Sequence, residues 1–148
     1  MKSKRIIVPG EPQGKSRPRF SRRGGIIRTY TPEKTAEYEE LIRACWFQQS
    51  DGWRCASGGV GITVFAYFGI PKTATKASKQ AMKSGDLRPA KRPDGDNILK
   101  VVCDALNNRA YEDDKQIVDA RVVKLYSEEP RIEIVLFDIE SEKVRWLP

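Results

Sequence analysis

Between Arg92 and Gln116 the chain reads RPDGDNILKVVCDALNNRAYEDDKQ, and no other stretch restricts the fold as much. Pro93 disfavours helix at the residue before it, and Asp94 or Asp96 can cap the amide groups that follow. Ile98, Leu99, Val102, Cys103, Ala105 and Leu106 recur at three- and four-residue spacing, which predicts a helix with one buried side. Asp96, Lys100 and Asp104 are successive i, i+4 neighbours on the other side, so a lysine is held among carboxylates. Asp113 and Asp114 then precede the alternating run IVDARVVKLY. That run reads as a strand, and packed beside the helix it would return both acids to the helix mouth.

So much acid is out of character here. Residues 94 to 119 hold seven Asp/Glu against three Lys/Arg, whereas the first 34 residues hold ten Lys/Arg against two Asp/Glu. An N-cap aspartate and a surface ion-pair ladder explain any one of these acids taken alone. Their convergence from separate segments favours a different account, divalent cations held against a polyanion. Oxygen-only donors of this kind suit Mg²⁺ or Mn²⁺.

The 148 residues predict one domain, 1–148, large enough for a true core. A net charge of +7 and a pI near 9.4 direct attention to nucleic acid, although basic non-enzymes share that balance. Cys45, Cys55 and Cys103 are odd in number and lack paired spacing, which argues against a disulfide framework or structural zinc. With no histidine in the chain, Ser-His and Cys-His nucleophile systems and imidazole metal ligands are excluded. No apolar run is long enough for a membrane helix, and IIVPG is too short for a signal-peptide core, so a cytoplasmic location is expected.

Lys4 to Val8 is expected to be the first strand. Gly10 to Ser16 imitates a phosphate-binding P-loop, but its glycine spacing is one residue short and Pro18 interrupts the helix that motif needs, so no nucleotide cofactor is expected. Arg17, Arg19, Arg22, Arg23 and Arg28, with Lys15 before them, form a basic stretch read as a solvated loop able to neutralise phosphates, with Phe20 able to pack or stack. Thr31-Pro32-Glu33 starts a helix reaching about Gln49, with Tyr38, Leu41, Ile42 and Cys45 on its core side. Gly61 to Ile70 reads as a strand that Pro71 stops.

Lys72, Lys76, Lys79 and Lys83 would line one basic face of a following helix, and a loop then brings Lys91 and Arg92 next to Asp94. Ile117 to Tyr126 and Arg131 to Ile139 are expected to pair as a hairpin around Glu128-Glu129-Pro130. A tail carrying Trp146 ends the chain. The expected class is therefore α/β in the α+β sense, a mixed β-sheet packed against two main helices.

The residues resemble the RusA-type Holliday junction resolvases, including phage-borne relatives. The likeness rests on Arg92-Pro93-Asp94-x-Asp96-Asn97-x-x-Lys100, on Asp104-Ala105-Leu106-Asn107 and on Asp113-Asp114-Lys115-Gln116-Ile117, with Gly10, Pro12 and Arg17 to Arg19 at the opening. One departure is Gly95, where the family pattern carries an aliphatic residue. The resemblance implies an Mg²⁺-dependent endonuclease, with Mn²⁺ as a substitute, that cuts four-way DNA junctions symmetrically in recombination and repair. It implies catalytic roles for Asp94, Asp96, Asp114 and Lys100, and metal ligation by Asp94, Asp96 and Asp114, with Asp113 as a further, supporting metal ligand and Asp104 in support. It also implies a homodimer, as two symmetric cuts require, and a bacterial or phage-encoded, nucleoid-associated protein. A non-catalytic binder of branched DNA and a flap nuclease are the alternatives.

Overall fold

The computed structural model describes residues 3–30 and 32–139. The elements follow in the order β1 (Ser3–Pro9), β2 (Arg19–Arg23), β3 (Ile26–Tyr30), α1 (Glu33–Gln49), β4 (Val60–Gly69), α2 (Lys76–Ser84), α3 (Gly95–Leu106), β5 (Ile117–Ser127) and β6 (Arg131–Asp138). A single 3-10 turn, Asp114–Gln116, leads into β5. Thr31, expected to cap α1, and Trp146 lie outside the described residues. Pro32 is the N-cap of α1.

Four strands form a mixed sheet in the order β1-β6-β4-β5, with β4 and β5 parallel and the other pairs antiparallel. The parallel pair requires a long crossover, and α2 and α3 fill it. Every second residue of β4 (Ile62, Val64, Ala66, Phe68) is buried, as are Ile6 and Val8 of β1 and Ile132, Ile134 and Leu136 of β6. Helix α1 packs against β1 and α3, and α3 packs against β5. From α3, Ile98, Val101, Val102, Ala105 and Leu106 reach zero exposure. Burial contributes about 1.5–3 kcal/mol for each larger aliphatic among them, which fixes the helix and all that its outer side carries. Cys45, Cys55 and Cys103 are buried and outside any disulfide, and burial pushes the Cys103 thiol up to about 11.

Two expectations are corrected. First, β5 and β6 do not form a hairpin, because β4 lies between them. Half of the residues of β6 are buried, so its backbone groups need partners on both edges and find them in β1 and β4. Glu128 to Pro130 only has to step over the end of β4, a span of about 9.6 Å that three extended residues cover. Second, the basic stretch is not a loop: Arg19–Arg23 and Ile26–Tyr30 pair as an antiparallel ribbon. Its two-residue turn is Gly24-Gly25, with φ of 57° and 80°. Glycine takes such angles without strain, and tight hairpins require them.

The remaining differences are local. Leu41 is 38% exposed and lies outside the core. Lys76, Lys79 and Lys83 do fall on a helix, α2, capped by the Thr75 hydroxyl at the Ser78 N–H and closed by Gly85 at φ 86°. Lys83 is engaged by Glu128 at 2.9 Å.

The sheet face away from α1 and α3 is held by charge and aromatic rings. Glu133 accepts from Arg5 at 2.6 Å and from Arg131 at 3.1 Å, and the two guanidiniums lie over Phe65 and Tyr67.

Candidate nucleic-acid and metal site

A cleft of about 780 Å³ opens where the loop after β1 meets the first turns of α1 and α3. Its charged lining comprises Lys15, Arg17, Lys34 and Arg92 around one carboxylate, Asp94. The loop reaches α3 closely: the Lys15 N–H donates to the Asn97 carbonyl at 2.9 Å, and the Ser16 N–H to the Thr35 hydroxyl at 3.3 Å. Gly14 is required for this approach, since a Cβ there would stand 2.9 Å from Pro93 Cβ and 3.0 Å from Asn97 Cβ. Ser16 leads through irregular chain into β2, so no helix N-terminus follows it as a P-loop demands.

Asp94 is the N-cap of α3 by backbone position, yet its side chain makes no capping hydrogen bond. Its carboxylate is thus not spent on the helix. Asp96 follows in the first turn and is exposed. Gly95 takes little from the rigidity of this corner, because Val122 of β5 fills the space beside it, 3.7 Å from where a Cβ would stand.

Along the outer side of α3, Asp104 receives two lysines, Lys15 at 3.2 Å and Lys100 at 3.5 Å. Lys15 also meets Glu39 of α1 at 2.5 Å, and Arg43 approaches the same carboxylate at 3.2 Å. Burial works to lower the Lys15 pKa, but hydrogen bonds and charge from Glu39 and Asp104 prevail and hold its ammonium above the ordinary range. Lys15, expected on the DNA surface, therefore has its charge directed inward. Lys100 extends into solvent, 62% exposed, rather than being enclosed by its acidic neighbours.

The second acid pair arrives at the other end of the helix from the one the sequence led us to expect. The Asp114 N–H donates to the side-chain carbonyl of Asn107, which terminates α3, at 3.1 Å. Asp113 caps the 3-10 turn through the Lys115 N–H at 2.9 Å. Gln116 fixes this segment, accepting from the Glu112 and Asp113 N–H groups and donating to the Cys55 and Gly58 carbonyls. Beneath it, buried Tyr111 donates to the Cys103 carbonyl at 2.7 Å.

The two carboxyls titrate apart. The Lys115 N–H, ahead of other influences, lowers Asp113, whereas partial burial, Asp113 and Asp104 raise Asp114, with Lys100 opposing. Among the described residues, no three Asp, Glu or Cys side chains gather closely enough to enclose an ion. The acids therefore stand as Asp94 and Asp96 at the first turn of α3, and Asp113 and Asp114 beside its last.

Of the basic residues, Arg17 and Arg92 line the cleft, and Arg22 and Arg23 are exposed on the ribbon. Arg19 lies in β2, with its side chain outside the described part. The Lys91 ammonium lies over Phe68 and Tyr126 at 5.7 and 5.8 Å. Lys34, Glu39, Asn97 and Asn107 were not singled out from the sequence. Asn97 and Asn107 stand inside the motifs, but Glu39 sits in a helix stretch read only for its apolar stripe.

A cationic cleft around an aspartate whose side chain makes no capping bond, on a scaffold with net charge +7, suits a phosphate-bearing ligand and points to the nucleic-acid-handling class. The chain belongs to the RusA family of endodeoxyribonucleases, whose family model, described as "Endodeoxyribonuclease RusA", matches residues 9–136. It is similar to the uncharacterized protein YqaN of Bacillus subtilis strain 168, at 37% identity over 139 residues, covering 93% of this chain and 97% of that protein. Among the described residues no helix is long and apolar enough to cross a membrane.

Proposed function

We propose that this protein is a divalent-metal-dependent, structure-specific endonuclease that resolves four-way DNA junctions by paired cuts, acting as a homodimer in the bacterial cytoplasm. The observation that carries this reading is the Asp94 carboxylate, unused by its helix and set in a cleft of four cations, in a chain of this family. Arg17, Lys34 and Arg92, which leave Lys15 to its internal partners, neutralise the phosphates of an approaching strand and release its counterions.

The donor chemistry at both ends of α3 fits Mg²⁺, with Mn²⁺ as a substitute: carboxylate oxygens only, with like charges adjacent at Asp113 and Asp114. Asp94 and Asp96 would hold one ion at the first turn, and Asp114 with Asp113 a second ion at the last. When bound, the metal supplies an activated water and stabilises charge on the phosphate. The protein's own residues do the remainder. Arg17, Lys34 and Arg92 seat the strand in the cleft, Lys100 meets its phosphate from the exposed side of α3, and Asn107 and Gln116 hold the Asp113-Asp114 backbone in place. A C2 dimer presents two equivalent sites to a substrate of approximate two-fold symmetry.

A synthetic four-way junction incubated with Mg²⁺, wild type beside Asp94→Asn and beside wild type in EDTA, tests the reading. Symmetric nicks in the wild type alone are expected. Binding without any cutting would make the protein a junction-binding module, and preferential cutting of flaps would make it a flap nuclease.

A further inference from the structure

The β2–β3 ribbon stands apart from the body. No helix or strand of the main sheet packs against it beyond marginal contact, and nothing lies within 4 Å of where a Cβ would stand at Gly24 or Gly25, so its tip is in solvent. A lone two-stranded hairpin is marginally stable in water. This one nevertheless displays large apolar groups, with Phe20 73%, Ile27 63% and Ile26 58% exposed. The pairing register places Phe20, Arg22 and Ile27 on one face and Arg23, Ile26 and Arg28 on the other. Residues 12 to 32 contain six Lys/Arg and no Asp/Glu. Such a surface fits a partner that is negatively charged outside and apolar within, and it repels a second copy carrying the same charge.

Nucleic acid has that construction. A two-stranded ribbon has the width that a major groove admits, and apolar side chains driven between base steps are a known way to open a stack. At a branch point the stack is already interrupted, so the unstacking cost falls. The ribbon also follows directly on the loop that brings Lys15 and Arg17 to the cleft.

We propose that this ribbon is a wedge that reads the branch point. Phe20 and Ile27 meet the faces of bases where the arms diverge, while Arg22, Arg23 and Arg28 contact phosphates of the flanking arms. The proposal rests on the functional reading above and supplies its specificity element, the part that distinguishes branched from linear DNA.

The test uses a four-way junction with 2-aminopurine at the branch, titrated with full-length protein in EDTA so that cutting does not interfere. Wild type should raise the probe's fluorescence several-fold. Phe20→Ser combined with Ile27→Ser should abolish that rise and the preference for junction over duplex, leaving duplex affinity, its salt slope and the thermal midpoint unchanged. Arg22→Ala, Arg23→Ala and Arg28→Ala together should leave the thermal midpoint alone but flatten the salt slope, by about 0.9 per lost phosphate contact. A double variant that still lights the probe and still prefers junctions overturns the wedge. So does a double variant whose mass in light scattering falls from dimer to monomer, since the ribbon would then be a subunit contact. If wild type lights the probe but cuts nothing in Mg²⁺, the wedge stands and the nuclease reading is removed.

Discussion

The ammonium of Lys15 meets the carboxylate of Asp104 at 3.2 Å, joining the loop after β1 to the outer side of α3. Its second contact, to Glu39, extends the bridge to α1, so one lysine ties together the three segments that frame the cleft. Glu39 is only 8% exposed and needs a positive partner where it stands.

Replacing Lys15 with methionine leaves Glu39 to Arg43 alone and should lower unfolding stability by about 1–3 kcal/mol. Because the folded Lys15 pKa is raised, its contribution is complete below the ordinary value of 10.5 and fades as pH rises through the higher folded value. Urea melts at pH 8 and above pH 11 should show the gap between variant and wild type narrowing. A gap unchanged by pH would mean that packing, and not charge, was lost.

Gly14→Ala places a methyl group where Pro93 and Asn97 already stand. The loop must then lift from α3, with a stability loss of about 1–3 kcal/mol and slower DNA cleavage, since Arg17 and Lys15 move with it. An unchanged melting temperature together with full activity would show that the loop yields without consequence.

Asp94→Asn preserves shape and removes one charge from the cleft. Cleavage of a four-way junction should fall at least about 100-fold, while junction affinity holds or improves because the cations are untouched. Asp96→Asn should behave in the same way. Full activity in either variant would remove that residue from the proposed metal site.

Glu133→Ala strips the shared acceptor from Arg5 and Arg131 on the far face of the sheet. Breaking a fully buried pair costs about 3–5 kcal/mol, and the half-exposed Arg5 reduces this to about 2–3 kcal/mol. Chemical denaturation should register the loss with DNA cleavage unaltered at low temperature. A loss of cutting without a loss of stability would place this face in the site.

How far the sequence reached is plain from individual elements. The apolar spacing of Ile98 to Leu106 specified α3, and the run from Gly61 to Ile70 specified β4, because burial on one side imposes a period that local reading detects. The ribbon was missed for the opposite reason. Its described side chains, Ser21 apart, are exposed on both faces, so no alternation marks it, and the Gly24-Gly25 turn was its sole local signal.

The sequence by itself determined the composition of the proposed site: an aspartate pair, a lysine and a second acid pair, on and after one amphipathic helix, in a basic chain of the RusA family. Only the tertiary structure decided where they stand. It inserted β6 between β1 and β4, brought Asp114 to Asn107 instead of Asp94, and turned Lys15 inward toward Glu39 and Asp104. Burial periodicity is written into each segment locally, whereas strand neighbours and ion-pair partners are chosen by which arrangement satisfies every edge and buried charge at once, and that choice belongs to the whole chain.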